Sequence, residues 1–235
     1  MRNLTAILCL TIAVLLGSAG EGWSADFQKG LTAAQSGDFA TALREWKPLA
    51  EQGDSAAQRN LGLMYDNGQG VPQNDKTAVK WYRLSAEQGN ANAQSNLGVM
   101  YAKGKGVPQN DKTAVQWYRL AAEQGFASAQ FHLGVMYANG RGVPQDHKTA
   151  VKWYGLAAEK AIADAQTNLG VMYIKGQGVI QDNVYAHMWG NPGASNGNEN
   201  GGKLRDIVAG EMTPSQLEKA QDLAREWVRK KYKGC

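Results

Sequence analysis

His132, His147 and His187 are the three histidines of the chain, so imidazole-based metal binding or proton transfer has to pass through them. Their separations match no metal-ligand spacing. Each also stands where neighbouring copies of the same segment carry another residue type, which reads as substitution rather than ligation. Glycine pairs of the form G-x-G-V recur at Gly68-Gly70, Gly104-Gly106, Gly140-Gly142 and Gly176-Gly178. A phosphate-binding loop needs a helix start and a lysine directly after such glycines. Here Pro or Ile follows and then Gln, so these glycines make turns. Tyr–Lys and Ser–Lys pairs occur outside any nucleophile motif, and a Ser-x-x-Lys motif is missing. Gln58, Gln94, Gln130 and Gln166 lie beside an apolar stripe, where bonding between repeats suits them better than catalysis. The reading is therefore no enzyme: no catalytic residue, no metal-ligand set and no cofactor.

What these residues share is a period. GLMYDNGQGVPQNDKTAVKWYRLSAEQG begins at Gly62, and near copies begin 36 residues apart at Gly98 and Gly134, with a worn version at Gly170. Leu61, Leu97, Leu133 and Leu169 form one column. Tyr65, Tyr101, Tyr137 and Tyr173 form a second, and Trp81, Trp117, Trp153 and Trp189 a third. Self-similarity at a fixed period of this length marks a stacked repeat array. Within one copy, Ala93, Leu97, Gly98 and Tyr101 fall at helical spacing and predict a buried stripe on a first helix. Gly98 leaves room for a close neighbour, Gly104 and Gly106 stop the helix, and Asp111 is the expected N-cap of a second helix. Ala114, Trp117, Tyr118, Ala121 and Ala122 form its expected buried face, and Gly125 closes it. Such a hairpin must stack on its neighbours to bury that face.

The pattern A-x-A-Q-x-x-L-G-x-M-Y-x-x-G-x-G-V, followed by D-x-x-x-A-x-x-W-Y-x-x-A-A-E-x-G, resembles the Sel-1-like repeat, a relative of the tetratricopeptide repeat. The resemblance implies an all-α, right-handed superhelical solenoid of helix–loop–helix repeats whose first helices line the concave side. The expected division is a signal peptide over 1–25, a divergent first hairpin over 26–54, and repeats over 55–90, 91–126 and 127–162. A degenerate fourth repeat covers 163–198, and C-terminal capping helices cover 199–235. Gly30 lies 12 residues before Ala42, against 16 from Gly62 to Ala78, so the first hairpin has the shorter loop. In the fourth copy, Trp189-Gly190-Asn191-Pro192-Gly193 predicts a helix from Val184 to Trp189 and then a break. Gly201-Gly202 weakens the segment after it. Thr213-Pro214-Ser215-Gln216 starts a last helix with a capping box and a proline in its first turn.

The chain has 235 residues and a net charge of +4. Arg2, the apolar run Leu4 to Leu16, and the small residues after it have the layout of a secretory signal peptide. Cleavage after Ala19 or near Ser24 and Ala25 is expected, an uncleaved anchor being the alternative. Nothing later is apolar enough to span a bilayer. Cleavage near Ala25 removes Arg2 together with Glu21, so the charge is unchanged. That mild, dispersed excess gives no sign of nucleic-acid binding. One cysteine, Cys235, remains, which rules out an internal disulfide.

On a helical wheel, the face opposite Leu61 and Tyr65 carries the residues that differ between copies. It holds Arg59, Asn60 and Leu63, then Ser95, Asn96, Val99 and Lys103, then Phe131, His132 and Val135, then Thr167, Asn168 and Val171. The spine Leu63–Val99–Val135–Val171, flanked by amides, suits an extended or helical peptide. Packing of the spine against adjacent repeats is the alternative. Lys103, Lys105, Arg141 and Lys175 place positive charge along a loop edge. The expected function is an exported, periplasmic or extracellular scaffold that holds a peptide segment of another exported protein. The rival reading is a β-lactamase-like or penicillin-binding member of the family, although those carry a cysteine pair per repeat and this chain does not.

Overall fold

The computed structural model describes residues 27–232. The expected signal segment and Cys235 lie outside the described residues. The chain divides into two compact units, residues 1–109 and residues 110–235. Unit 1 contains a helix over 27–35 (α1), α2 (Phe39–Glu51), α3 (Ser55–Asn67), α4 (Asp75–Glu87) and α5 (Ala91–Lys103). Unit 2 contains α6 (Asp111–Glu123), α7 (Ala127–Asn139), α8 (His147–Glu159), α9 (Ala163–Lys175), α10 (Asn183–Ser195), α11 (Glu199–Ala209) and α12 (Pro214–Tyr232). Consecutive helices pack on one another within each unit. All regular structure among the described residues is helical, and none of these helices is long and apolar enough to cross a membrane.

Each hairpin is made by the same local chemistry. Asp54 and Asn90 cap the first helices by accepting from the amides of Ala57 and Ala93. Gly68, Gly104, Gly140 and Gly176 end them in the left-handed conformation, which lets the cap amide reach the carbonyl of a methionine one turn back. The second helix is capped by Asn74, Asn110 or Asp146, each accepting from a threonine amide. Asn110 thus holds the position expected for Asp111, which is the first residue of α6. The α1–α2 loop, residues 36–38, is four shorter than the α3–α4 loop, residues 68–74, as the glycine spacing implied.

Stacking depends on one contact above others. A Cβ on Gly62 would lie 2.4 Å from the Tyr82 ring, and one on Gly134 would lie 2.7 Å from the Tyr154 ring. The glycine lets a buried tyrosine of the second helix lie flat against the first. Gly30 makes the same contact with Trp46 in the first hairpin. The buried face of α6 accordingly consists of Ala114, Val115, Tyr118, Ala121 and Ala122, with Trp117 only half-buried at its margin. Of the two aromatics expected on that face, Tyr118 is core and Trp117 lies at its edge.

The glutamine column joins repeats. Nε2 of Gln58, Gln94, Gln130 and Gln166 donates to the carbonyls of Ala50, Ala86, Ala122 and Ala158 at 3.0–3.1 Å. Each is a second bond to a carbonyl at the C-terminal end of the preceding helix, which also accepts from the backbone amide three residues on. The second loop glycine makes the next joint. A Cβ on Gly106 would meet the backbone of Asp75 at 2.4 Å, and one on Gly142 that of Asp111 at 2.3 Å.

The fourth hairpin departs from expectation. α10 continues through Gly190, Pro192 and Gly193 to Ser195 without a break. The glycines are seats for neighbours rather than weak points. A Cβ on Gly190 would meet the Arg205 amide at 3.1 Å, and one on Gly193 would meet Thr167 Oγ1 at 2.7 Å. Gly201 packs as closely on Ala194, so the Gly201-Gly202 pair lies inside an intact α11. Gly190 occupies the column of Tyr82, Tyr118 and Tyr154, and the volume the ring vacates is filled from α11. Leu204 Cδ2 stands where a Cβ on Gly170 would lie 2.6 Å away. α11 keeps the repeat register: Glu199 falls 36 residues after Ala163, and Asn198 caps it through the Gly201 amide. Thr213 and Gln216 form the expected capping box before α12.

Candidate functional site

The eleven residues expected to meet a partner all lie on first helices, six in unit 1 and five in unit 2. In unit 1, α3 carries Arg59, Asn60 and Leu63, and α5 carries Asn96, Val99 and Lys103. Asn60 is buried, Arg59 and Leu63 are half-buried, and Lys103 is exposed. Arg59 Nη1 donates to Asn60 Oδ1 at 2.8 Å, while its Nε is buried without an acceptor. Burial draws this guanidinium below its ordinary pKa, with the Tyr82 phenol acting in the opposite sense. Together with Leu31, Phe39 and Trp46, these α3 residues line an open depression of about 290 Å³.

Asn96 is engaged with the Tyr82 hydroxyl, which also donates to Asp66 Oδ2 at 3.3 Å. Burial, followed by the charge of Asp66, pushes that phenol far above its usual range. In unit 2, Asn168 bonds the Tyr154 hydroxyl in the same way, and burial pushes that phenol up to about 12. His132 occupies this column in α7 and stacks on Tyr118, with ring centroids 5.0 Å apart and planes at 25°. Phe131 lies beside it, 5.4 Å from the His132 ring and 6.0 Å from Tyr154. The amide column expected to face a ligand is thus partly spent on the tyrosines of the preceding helix. That pairing joins residues 14 apart across two helices, and a wheel drawn for one helix cannot show it.

The apolar positions divide. Leu63 and Val99 are half-buried in unit 1. Val135 packs against the cluster built on Tyr154, Leu169 and Met172, and Val171 against the cluster of Ala186, Leu204 and Val208. Ser95 and Thr167, expected on the open face, are buried. Thr167 lies under α10 and α11, where Gly193 and Gly201 approach it. The basic loop edge is likewise occupied. Lys105 pairs with Asp66 at 2.6 Å and Asp75 at 3.7 Å, and Arg141 grips Asp111 through two nitrogens at 2.8 and 3.1 Å. Lys103 and Lys175 remain exposed. Among the described residues no three His, Cys, Asp or Glu side chains gather as a metal would need.

Residues 55–90, 91–126, 127–161 and 163–198 each match the model of the Sel1 repeat. The chain belongs to the Sel1 repeat family. Sel1 repeats generally mediate protein–protein interaction, on a scaffold that is typically non-catalytic. Among solved structures, a protective antigen present in uropathogenic Escherichia coli strains, displaying an SLR fold, is 35% identical, with a TM-score of 0.84 over 92% of this chain. The match covers 48% of that protein, so the chain spans about half the length of that relative. A Sel1 repeat protein from Oxalobacter formigenes is 32% identical, with a TM-score of 0.72, and the match covers 86% of this chain and 84% of that one. No curated protein matches the sequence.

Proposed function

We propose that this Sel1 repeat chain is an exported, non-catalytic scaffold that holds a peptide segment of another exported protein on the first-helix faces of its repeats. The observation that carries the reading is the open depression in unit 1, where Arg59, Asn60 and Leu63 meet apolar walls. Stacking positions keep Leu, Gly, Ala and Tyr through the first three full copies, while Arg59 and Phe131, half-buried in one column, differ in charge, size and shape. A face that varies against a constant frame is where a repeat array adapts to a ligand. The β-lactamase-like alternative would need a nucleophile motif, which the sequence lacks.

Photocrosslinking amino acids placed at positions 63, 99 and 135, with position 80 on the exposed side of α4 as control, test the reading. Crosslinks from positions 63 and 99 should map by mass spectrometry to one short segment of one protein, and those from position 135 to the same protein. Val99→Asp should abolish them while leaving the melting temperature nearly unchanged. Equal crosslinking from position 80, or unfolding of Val99→Asp, overturns the proposal. Export is supported by Arg2 and the apolar run after it. N-terminal sequencing of periplasmic protein should find a start between Gly20 and Asp26, and full-length chain confined to the cytoplasm would refute export.

A further inference from the structure

We infer that the depression in unit 1 seats the free C-terminal residue of a partner peptide, its carboxylate on Arg59 and its large apolar side chain against Phe39, Trp46 and Leu63. The inference rests on the reading of this face as a peptide-binding surface and names the chemistry of one end of the ligand.

Arg59 is the starting point. Among the described residues no carboxylate pairs with it. Asp66, which shares its neighbour Tyr82, is held by Lys105 Nζ at 2.6 Å and by the Tyr82 hydroxyl. The guanidinium donates to Asn60 Oδ1, and its Nε is buried without an acceptor. A half-buried cation in that condition carries a desolvation cost that one amide bond offsets only in part and no carboxylate among the described residues relieves. The fold does not require the charge: the same column holds Ser95, Phe131 and Thr167 in the later repeats. A charge that the frame can omit, kept in a recess and left without a counter-ion, calls for an anion from outside. Because Asn60 accepts through Oδ1, its Nδ2 remains a second donor beside the guanidinium.

The walls narrow the anion to a class. Leu31, Phe39, Trp46 and Leu63 are apolar, and the one polar atom of Trp46, Nε1, is spent on the Phe27 carbonyl at 3.2 Å. A small inorganic anion would leave this apolar surface wet. At about 290 Å³ the recess lies at the small end of the roughly 300–1,000 Å³ typical of ligand pockets, so it suits one residue rather than a run of several. A C-terminal Leu, Ile or Phe offers a planar carboxylate and an apolar side chain on a single carbon. The forked guanidinium matches that carboxylate in two-point geometry. An internal Glu beside an apolar residue spreads the same groups over two residues and must also carry chain onward.

The test uses dye-labelled hexapeptide pools with randomised upstream positions, read by fluorescence anisotropy on the intact protein. One pool ends in Leu as the free acid, a second in Leu amide, a third in Ala as the free acid, and a fourth carries an internal Glu-Leu before an amide. The Leu acid should bind at least about tenfold more tightly than the Leu amide and the Ala acid. Arg59→Gln and Arg59→Ser should erase that preference; the serine matches Ser95, so folding is expected to survive, and melts check it. Equal binding of acid and amide pools, still lost in Val99→Asp, overturns the carboxylate seat while the groove stands. Preference for the internal Glu-Leu pool overturns the terminal assignment. Absence of binding by all pools, or binding unaffected by Val99→Asp as well as by the Arg59 variants, overturns both readings.

Discussion

Ala161 holds a φ of 62°, the left-handed backbone that Gly53, Gly89, Gly125 and Gly197 take at the equivalent turns. It is the one non-glycine residue with positive φ among the described residues. An alanine there costs about 1–2 kcal/mol, partly offset by the smaller entropy it loses on folding. Ala161→Gly should therefore stabilise the protein by roughly 0.5–1 kcal/mol, read as a shift in the midpoint of urea unfolding. A destabilised variant would show that contacts of the methyl group outweigh the strain. The preceding residue offers a second repair. Gln88 donates to Gln58 Oε1, and Asn196 donates to Gln166 Oε1, but Lys160 turns to the Gly125 carbonyl and leaves the buried Gln130 Oε1 without a partner. Lys160→Gln should supply that bond and add about 1 kcal/mol in the same measurement. No gain would mean that the lysine's bond to Gly125 is worth as much as the one restored.

α10 carries the largest departure from the repeat, and its substitutions make sense only together with α11. Gly190 removes a ring from the tyrosine column, and Leu204 from the next helix fills the space. Read in sequence alone, Gly190, Pro192 and Gly193 are helix breakers, because backbone propensity is local and the neighbour that uses the space is not. His187 belongs to the same exchange. It takes the column of Val79, Val115 and Val151, is buried, and its Nδ1 has no hydrogen-bond partner. Burial lowers its pKa, Arg205 lowers it further, and Asp206 opposes them. The neutral ring is thus the one the fold accepts. Its contribution is complete above the unfolded value of about 6.5 and is lost as pH falls through that value toward the lower folded one. The melting temperature should drop between pH 7.5 and pH 5. His187→Val should remove much of that drop, and an undiminished pH dependence in the variant would place the sensitivity at another group.

Over the described residues, which include no cysteine, stability has to come from a joint used again and again. The period, the helix–loop–helix unit and the short first loop were legible in the sequence because they rest on residue spacing and on glycine, proline and cap chemistry inside one hairpin. The side-chain arrangement of the face proposed for a partner was not legible. Asn96 and Asn168 turn to tyrosine hydroxyls, Ser95 and Thr167 are covered, and Lys105 and Arg141 are paired, each through a contact with another helix or loop. The joint itself lies in the second loop glycine of every repeat. Gly70, Gly106, Gly142 and Gly178 all have φ between 68° and 74°, and a Cβ on each would enter the backbone at the start of an earlier second helix, at Phe39, Asp75, Asp111 and His147. Alanine there meets left-handed strain and a backbone collision together, and neither can be relieved by turning a side chain. Gly106→Ala and Gly142→Ala should each cost at least about 2 kcal/mol. Because the two glycines abut different helices and share no contact partner, the double variant should lose the sum of the single losses to within about 0.5 kcal/mol, as nearest-neighbour stacking requires. Urea unfolding of the three proteins, analysed with a common slope, measures this. A double variant much less impaired than the sum would mean that one substitution already releases the joint the other was meant to break.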